Sequence, residues 1–338
     1  MIKVSVIIVV RNEEKYIVEC IRSIEKQFED NNIWELLIVD GMSEDRTREL
    51  AENYLKNKKF RWKIVENPKK ILASGWNIGI KLAIGKYVIR PDAHSKLCKN
   101  YIKEGVSSLK QLDEKVACVG GVLKNVGEGF WGEVIADLFS SKFGVGNSAF
   151  RTGVKKLEFT DTSVFGLYKR DIFDKVGLFN ENLKRNQDIE LHKRISNEGY
   201  KFVTNPNMKA KYFVRNNVKD LVKKAFSDGY WIIASSKSYI RHKIPLLFVS
   251  YLISIPIFLK FIDIEWFDLL YLLPLILYFI LVLIFSLNDG KSYRKFLLFF
   301  LFPIFHISYG LGSLKALIDK LIMRMRKYFD NYFKVPIY

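Results

Sequence analysis

Short apolar runs alternate with helical patterns along the N-terminal part of the chain. Four apolar runs have the length of a β-strand: Val4–Val10, Leu36–Val39, Trp62–Val65 and Tyr87–Arg90. Three stretches between them place apolar residues at helical spacing: Glu13–Gln27, Ser43–Tyr54 and Ser74–Ile84. Strands and helices that alternate at such short intervals predict an α/β domain with a doubly wound, mostly parallel sheet.

The pattern is less regular after this alternation. The pair Gly120-Gly121 predicts a turn, and Gly127, Gly129, Gly144 and Gly146 predict further turns and flexible loops. Three elements are predicted beyond them: a strand over Ser163–Tyr168, a helix over Gln187–Asn197 and a longer helix over Val218–Tyr239. We expect the loops of this part to shape the choice of ligand.

Three long apolar stretches follow Lys243, and no apolar run before it exceeds the length of a strand. The stretches are Ile244–Ile262, Trp266–Leu287 and Phe296–Leu314. Each is close to the ~20 residues that a helix needs to cross a bilayer. The sequence therefore predicts a globular domain over residues 1–240, membrane-embedded helices over 241–316, and a basic amphipathic tail over 317–338.

Charges between the apolar stretches predict the membrane topology. Asp263, Glu265 and Asp268 separate the first two stretches, whereas Arg241 and Lys243 precede the first, and Lys291, Arg294 and Lys295 follow the second. The positive-inside rule then predicts a multi-pass protein of the cell membrane whose globular domain is cytoplasmic. The third stretch contains Pro303, His306, Gly310 and Gly312, so the number of spans, two or three, and the side of the tail stay open.

The composition of the chain indicates which kinds of molecule it binds. The 338-residue chain carries 54 basic and 36 acidic residues, a net charge of +18, which suits contact with anionic lipids or a phosphate-bearing substrate. The chain has no recognised nucleic-acid module and no arginine-rich arm, which disfavours nucleic-acid binding. Cys20, Cys98 and Cys118 lack metal-ligand spacing, and we expect small core residues in a reducing compartment.

The triplet Asp92-Ala93-His94 follows the last of the four apolar runs. In an open α/β sheet, ligands bind beyond the carboxyl ends of the strands, and a carboxylate and an imidazole there can share one divalent cation. Such a metal would hold a diphosphate. Taken alone, the triplet is more typical of a helix-capping Asp beside a solvated His.

Four sequence blocks in order resemble inverting family 2 glycosyltransferases of the GT-A fold, most closely the succinoglycan-biosynthesis type. The blocks are Val4–Ile8 with Arg11–Glu14, Val39–Gly41 with Ser43, Asp45 and Thr47, Arg90–His94, and Arg185–Leu191. Gly75–Gly79 and Gly144–Gly153 add weaker matches. The resemblance covers roughly Met1 to Arg241 and the apolar C-terminal stretches.

The resemblance implies a set of site residues. Those expected to bind the nucleotide-sugar are Val10, Arg11, Glu13, Asp40, Asn77 and Asp92. Asp92 and His94 would hold the cation in place of the more usual D-x-D pair, and the imidazole favours Mn²⁺ over Mg²⁺. From the residues alone, a turn-forming Asp40, helix-terminal acids and a buried Asn77 are equally good interpretations.

Asp188 corresponds to the family's catalytic base, with Gln187 where Glu is common. As the opening residue of a helix it would stay ionised and accept a proton. Trp231 lies near the Q-x-x-R-W position of processive relatives, but the Gln and Arg are missing, which disfavours processive synthesis. Trp231 would stack on an acceptor sugar or serve as a core residue. His192 receives no role.

The sequence thus predicts a membrane-anchored, metal-dependent transferase that moves a sugar from a nucleotide donor, a UDP-sugar, to a lipid-linked or growing glycan acceptor. Two alternatives stay open: transfer directly onto a polyprenyl phosphate, and a catalytically silent scaffold of a glycan-assembly complex. The donor sugar, the acceptor, the linkage and the oligomeric state are not encoded in any recognisable pattern.

Overall fold

In the computed structural model, which describes residues 2–235, 242–261 and 265–332, the chain divides into two units. Unit 1 comprises Met1–Glu128 and Asn147–Val214, and unit 2 comprises Gly129–Gly146 and Arg215–Tyr338. The chain therefore enters unit 2 twice: first for the short segment Gly129–Gly146, and again at Arg215, after which it does not return to unit 1.

The elements alternate regularly at first and then become mixed. The strands are β1 (Val4–Val10), β2 (Trp34–Asp40), β3 (Arg61–Glu66), β4 (Tyr87–Ile89), β5 (Ser95–Leu97), β6 (Val116–Val126), β7 (Glu158–Thr160), β8 (Leu167–Lys169) and β9 (Lys201–Phe213). The helices are α1 (Ile17–Glu25), α2 (Thr47–Leu55), α3 (Leu72–Leu82), α4 (Tyr101–Gln111), α5 (Gly129–Ser140), α6 (Lys142–Val145), α7 (Ala149–Thr152), α8 (Ile172–Val176), α9 (Gln187–Asn197), α10 (Val218–Ala234), α11 (Ile244–Phe261), α12 (Glu265–Asp289) and α13 (Arg294–Tyr332).

All nine strands form one sheet in unit 1. Its order is β3-β2-β1-β4-β8-β6-β9-β5, with β7 paired to β9. The strands β3, β2, β1 and β4 are mutually parallel, whereas β8 runs antiparallel to both β4 and β6. The predicted α/β class with a mostly parallel sheet is confirmed.

Alternate residues of β1 explain why the sheet is covered on both faces. Val6 and Ile8 pack in the cluster that contains the apolar face of α1, whereas Ile7 packs with Trp76 and Ile80 of α3. Both clusters are buried, which is why this strand is a continuous β-branched run rather than an alternating one.

Two expectations for the second half of unit 1 are wrong. Gly120-Gly121 lies inside β6 rather than in a turn. Glycine is needed in the strand because a Cβ at Gly120 would lie 1.9 Å from Ser163 Oγ, and one at Gly121 would lie 2.0 Å from Met208 O. The Ser163–Tyr168 run forms a strand only from Leu167 onward, because Phe165 adopts a positive φ of 44° before it.

Unit 2 is helical in the residues described. Two of its helices are long and apolar enough to cross a membrane, Phe267–Asp289 and Arg294–Arg326, and Ile244–Lys260 is a shorter apolar helix. The third predicted apolar stretch and the tail as far as Tyr332 form one continuous helix, α13, that contains Pro303. Arg241 and Asp263, which contribute to the predicted topology, lie outside the described residues, as does the predicted helix beyond Ser235.

Candidate active site

The loops after β1 and β2 are joined by hydrogen bonds. Val10 and Asp40 are partners at the ends of the two strands, and the Gly41 N–H donates to Val10 O at 2.7 Å. The Asn12 N–H donates to Ser43 Oγ at 3.0 Å, and the Glu13 N–H donates to Thr47 Oγ1 at 2.7 Å. The segment before α1 is thus bound to the loop after β2 and to the start of α2, and α1 begins at Ile17 rather than at the predicted Glu13.

Two of the predicted nucleotide-binding residues, Asp40 and Arg11, lie at these loops and differ in burial. Asp40 is buried, and its Oδ1 accepts from Ser43 Oγ at 2.6 Å and from Ser43 N at 3.1 Å. Arg11 is exposed and contacts Glu44 at 3.5 Å. Asp40 is therefore held at the strand end by two hydrogen bonds, whereas Arg11 lies at the surface beside Glu44.

Glu13 is bound to His94. Its Oε1 lies 2.9 Å from His94 Nδ1, and both side chains are about three-quarters buried. Burial lowers the pKa of His94, but the hydrogen bond to Glu13, with Tyr212 and Asp92 nearby, outweighs it and raises the pKa to about 10. Since Nδ1 is bound to Glu13, a metal would have to bind at Nε2 and displace the proton that this nitrogen carries.

Asp92 and His94 fit a cation that takes only part of its ligands from the protein. Burial raises the pKa of Asp92, with His94 and Arg90 acting against this increase, and Glu13 and Asp188 adding to it. A half-buried carboxylate of this kind is stabilised by a divalent charge. The described residues contain no group of three or more His, Cys, Asp or Glu placed as metal ligands. Two protein ligands suit an ion that completes its shell with water and substrate phosphates.

Asp188 lies within electrostatic reach of Asp92 and is the second residue of α9. Its Oδ1 accepts from the Ile189 N–H at 2.9 Å. The chain enters α9 through Asn186, whose φ is +59°, and the next residue, Gln187, is buried.

A buried hydrogen-bond chain links the strand before Asp92 to the helix of Asp188. Arg90 is 6% exposed and donates from Nη2 to Tyr168 OH at 3.0 Å. Tyr168 OH lies 2.6 Å from His192 Nε2, and His192 Nδ1 lies 2.8 Å from Thr162 Oγ1. Because Arg90 can only donate, Tyr168 donates onward to Nε2, and the Nδ1–H of His192 donates to Thr162.

Aromatic rings surround the cation of this chain. The Arg90 guanidinium lies 4.0 Å from the ring centroid of Trp76 and 4.5 Å from that of Phe179. Burial, and then the charge of Arg90, lower the pKa of His192 to about 3, so this imidazole is neutral. The sequence pattern gives His192 no role and includes Arg90 only as part of the Arg90–His94 block, although a lone Arg at the end of a buried apolar strand is a signal for a buried cation.

Two predicted site residues are placed elsewhere. Asn77 of α3 is buried and holds the loop after α8: its Nδ2 donates to Phe179 O and Glu181 Oε1, and its Oδ1 accepts from Phe179 N at 2.9 Å. These bonds leave one Oδ1 lone pair for a nucleotide. Trp231 belongs to unit 2, where it packs edge-on against Tyr230 in α10. Their predicted contacts with substrate stay predictions.

Comparison with known proteins identifies the family. Residues 5–177 match the glycosyl transferase family 2 profile, about half of the chain. This chain belongs to glycosyl transferase family 2. A dolichyl N-acetyl-alpha-D-glucosaminyl phosphate 3-beta-D-2,3-diacetamido-2,3-dideoxy-beta-D-glucuronosyltransferase of Methanococcus voltae is 31% identical over 231 residues, 67% of this chain and 71% of that protein. The succinoglycan biosynthesis protein ExoA of Rhizobium meliloti is 27% identical over 210 residues, 62% of each chain.

Solved structures agree on the fold. The mannosyltransferase PcManGT of Pyrobaculum calidifontis, solved with GDP-Man and Mn²⁺, superposes with a TM-score of 0.58 at 16% identity, covering 94% of this chain and 88% of its own. GalNAc-T7, solved with UDP, GalNAc and Mn²⁺, gives a TM-score of 0.50 at 17% identity, covering 69% and 48%. The chain is a family 2 glycosyltransferase with the GT-A fold.

Proposed function

We propose that this glycosyltransferase is a membrane-anchored, metal-dependent, inverting enzyme that transfers one sugar from a nucleotide donor to a lipid-linked or growing glycan acceptor. The observation that carries the proposal is the grouping of Asp92, Glu13-bound His94 and Asp188 in unit 1. Asp92 and His94 would hold a cation beside the leaving group, and Asp188 would accept the proton of the acceptor. A one-step displacement needs both of these functions.

The donor is proposed to be a UDP-sugar bound beyond the ends of β1, β2 and β4. Asp40 would accept the imide hydrogen of the base or a ribose hydroxyl, and Val10 and Arg11 would line the same crevice. Glu13 would act through His94, since its Oε1 is already bound to that imidazole. Asp92 and His94 would hold a divalent cation, Mn²⁺ or Mg²⁺, which would neutralise the charge that develops on the diphosphate.

Asp188 is proposed as the catalytic base. The acceptor hydroxyl oxygen forms a bond to the anomeric carbon while the bond from that carbon to the diphosphate oxygen breaks. Asp188 takes the hydroxyl proton as this bond forms. Attack from the face opposite the leaving group inverts the anomeric configuration.

The acceptor is proposed to be lipid-borne and to be used at the cytoplasmic face of the cell membrane. The Methanococcus voltae relative is named for transfer to a dolichyl phosphate-linked sugar. Unit 2 of this chain also contains two helices long and apolar enough to cross a bilayer. Both observations favour an acceptor that resides in the membrane.

Nucleotide release from a panel of nucleotide-sugars tests this function. Detergent-purified full-length protein is supplied with native lipid extract and with Mn²⁺, Mg²⁺ or chelator. We expect release from one donor, loss of release with chelator, and loss in Asp92→Ala. Asp171→Asn, a change at an exposed carboxylate, should behave like the wild type.

Two results would redirect the assignment. Transfer onto polyprenyl phosphate that persists in Asp188→Asn would favour the polyprenyl-phosphate reaction, because that acceptor is already an anion and needs no strong base. Absence of nucleotide binding by folded protein in the presence of lipid would favour the scaffold.

A further inference from the structure

The segment Gly129–Gly146, here called the excursion, interrupts unit 1 in the sequence and packs with the helices of unit 2. It forms a helical hairpin of α5 and α6. Its turn is tight, because a Cβ at Gly144 would lie 2.2 Å from Leu138 O. Ser141 begins α6, and its Oγ accepts from the Phe143 N–H at 3.1 Å.

The tip of this hairpin is inserted between two of the apolar helices. The Phe143 ring stacks on Phe285 of α12 with centroids 5.1 Å apart, and it meets Phe302 and His306 of α13 edge-on at 5.1 and 4.9 Å. Phe139 likewise packs edge-on against Phe305 at 5.7 Å. The hairpin thus has a continuous aromatic contact with both candidate spans.

His306 satisfies a backbone group of the hairpin that would otherwise lack a partner. His306 Nε2 lies 2.9 Å from Phe143 O, and Tyr278 OH lies 3.0 Å from His306 Nδ1. Because a carbonyl only accepts, Nε2–H donates to Phe143 O, and Tyr278 donates to Nδ1. A four-residue helix leaves its carbonyls without intrahelical partners, and in hydrocarbon each unsatisfied group costs several kcal/mol. The Tyr278–His306 pair is therefore suited to a short helix at membrane depth.

The depth of the contact follows from helix geometry. At 1.5 Å per residue, Phe285 and Tyr278 lie about 6 and 16 Å along α12 from Asp289, at the end of the candidate span. Over the same turns, the apolar side chains of α12 that face away from the protein are exposed, among them Leu277 and Ile284. Phe143 therefore lies level with a surface that is suited to lipid.

The base of the hairpin has the composition of a membrane interface. Phe130 stacks on Tyr293 at 5.4 Å, and Trp131 meets Phe130 edge-on. All three rings are exposed to solvent: Phe130 by 53%, Tyr293 by 51% and Trp131 by 36%. Beside them, Arg294 pairs with Glu133 at 2.7 Å and with Asp137 at 2.9 Å. Exposed aromatic rings next to basic residues are typical of the headgroup level.

We propose that Gly129–Gly146 is a re-entrant segment that enters the bilayer beside α12 and α13, with the rings of Phe130, Trp131 and Tyr293 at the phospholipid headgroups. The proposal rests on the membrane anchoring in the proposed function, but not on the transferase chemistry. It gives the catalytic chain a second membrane attachment, inserted between β6 and the segment that leads to Asp188. It also assigns His306 to holding the hairpin.

A lipid-quenching experiment tests the proposal. An environment-sensitive fluorophore is attached to Phe130→Cys in full-length protein carrying Cys98→Ser, reconstituted in vesicles of phosphatidylcholine and phosphatidylglycerol with or without doxyl-labelled lipid. Labels at Leu277→Cys in α12 and at Phe159→Cys, an exposed phenylalanine of β7 in unit 1, are the controls. We expect doxyl lipid to quench the labels at 130 and 277, and aqueous iodide to quench the label at 159.

The controls separate the possible failures. Iodide quenching at 130 together with lipid quenching at 277 would overturn the re-entrant segment while leaving the anchor intact. Iodide quenching at both positions would overturn the anchor, and with it this inference, whatever the transferase assay shows. Retained lipid quenching at 130 in a transferase-inactive Asp92→Ala protein would support the segment independently of catalysis.

Discussion

The donor side and the base side of the candidate active site are held in place by different means. On the donor side, partly exposed loops after β1 and β2 are joined by bonds from backbone N–H groups to side chains such as Ser43 and Thr47. On the base side, the buried chain Arg90–Tyr168–His192 is closed off from water. Water can replace a lost bond on the first side but not on the second, so equal deletions should have unequal effects.

Removing the base itself should give the largest effect. Asp188→Asn keeps the shape of the side chain but not its proton affinity, so transfer to a hydroxyl acceptor should fall by about 10²–10⁴-fold. Donor binding should be retained, because the change leaves the donor side intact. Single-turnover transfer beside a donor titration checks both, with Asp171→Asn as the surface control. A loss of donor binding equal to the loss of rate would refute the division of roles.

Glu13→Ala should weaken the cation site without touching either ligand. Partners that orient a ligating imidazole typically contribute 10–100-fold in metal affinity, so we expect a loss of roughly that size for Mn²⁺ in the presence of UDP. Glu13→Gln, which preserves an acceptor for His94 Nδ1, should recover part of it. Titration of Mn²⁺ followed by electron paramagnetic resonance measures the affinity, and exposed Glu49→Ala serves as the control. Equal affinity in all four proteins would show that His94 needs no orientation by Glu13.

The unfolding free energies of Tyr168→Phe and Ser43→Ala compare the base side with the donor side. Tyr168→Phe removes the hydroxyl that accepts from Arg90 and donates to His192, and leaves these buried groups without that partner, which should cost about 1–3 kcal/mol of unfolding free energy. Ser43→Ala on the donor side should cost about 0.5–1.5 kcal/mol, the net value of an ordinary hydrogen bond. Denaturant unfolding of the two variants gives the comparison. A larger cost for Ser43→Ala would invert the account.

His192 should make the fold sensitive to acid. Its pKa falls from 6.5 to about 3 in the folded protein because the imidazole is buried, with Arg90 adding to the effect. Between these values the unfolded chain binds the extra proton, so stability declines as the pH falls below about 6.5. His192→Asn, which has no such proton, should flatten the decline relative to the wild type. Melting temperatures from pH 7 to pH 4 measure the difference, and parallel curves would exclude the effect.

The two sides also differ in how far the sequence predicts them. The run Val4–Val10 and the helix Gln187–Asn197 have the predicted bounds, because continuous burial and helical spacing are local signals. The bond between Glu13 and His94 joins residues 81 positions apart, and the chain through His192 joins three separate elements. Pairings of this range depend on tertiary packing, so periodicity and motif spacing carry no information about them.

Unit 2 shows the same limit. The sequence marks Pro303 and His306 as disturbances of an apolar stretch, but it does not indicate what His306 binds. The structure supplies the partner in Phe143 of the excursion, which comes from a segment that the glycine pattern predicts to be a loop. A polar residue in an apolar helix is therefore best interpreted together with the segment whose backbone it satisfies.

The binding of UDP to three proteins shows whether Asp92 holds the cation and Asp188 acts only in catalysis. Calorimetric titrations of the wild type, Asp92→Ala and Asp188→Asn are run with Mn²⁺ and with chelator. We expect Mn²⁺-dependent binding in the wild type and in Asp188→Asn, and loss of the metal-dependent part in Asp92→Ala. Unchanged Mn²⁺-dependent binding in Asp92→Ala would contradict this assignment, because the cation would then be held by other residues.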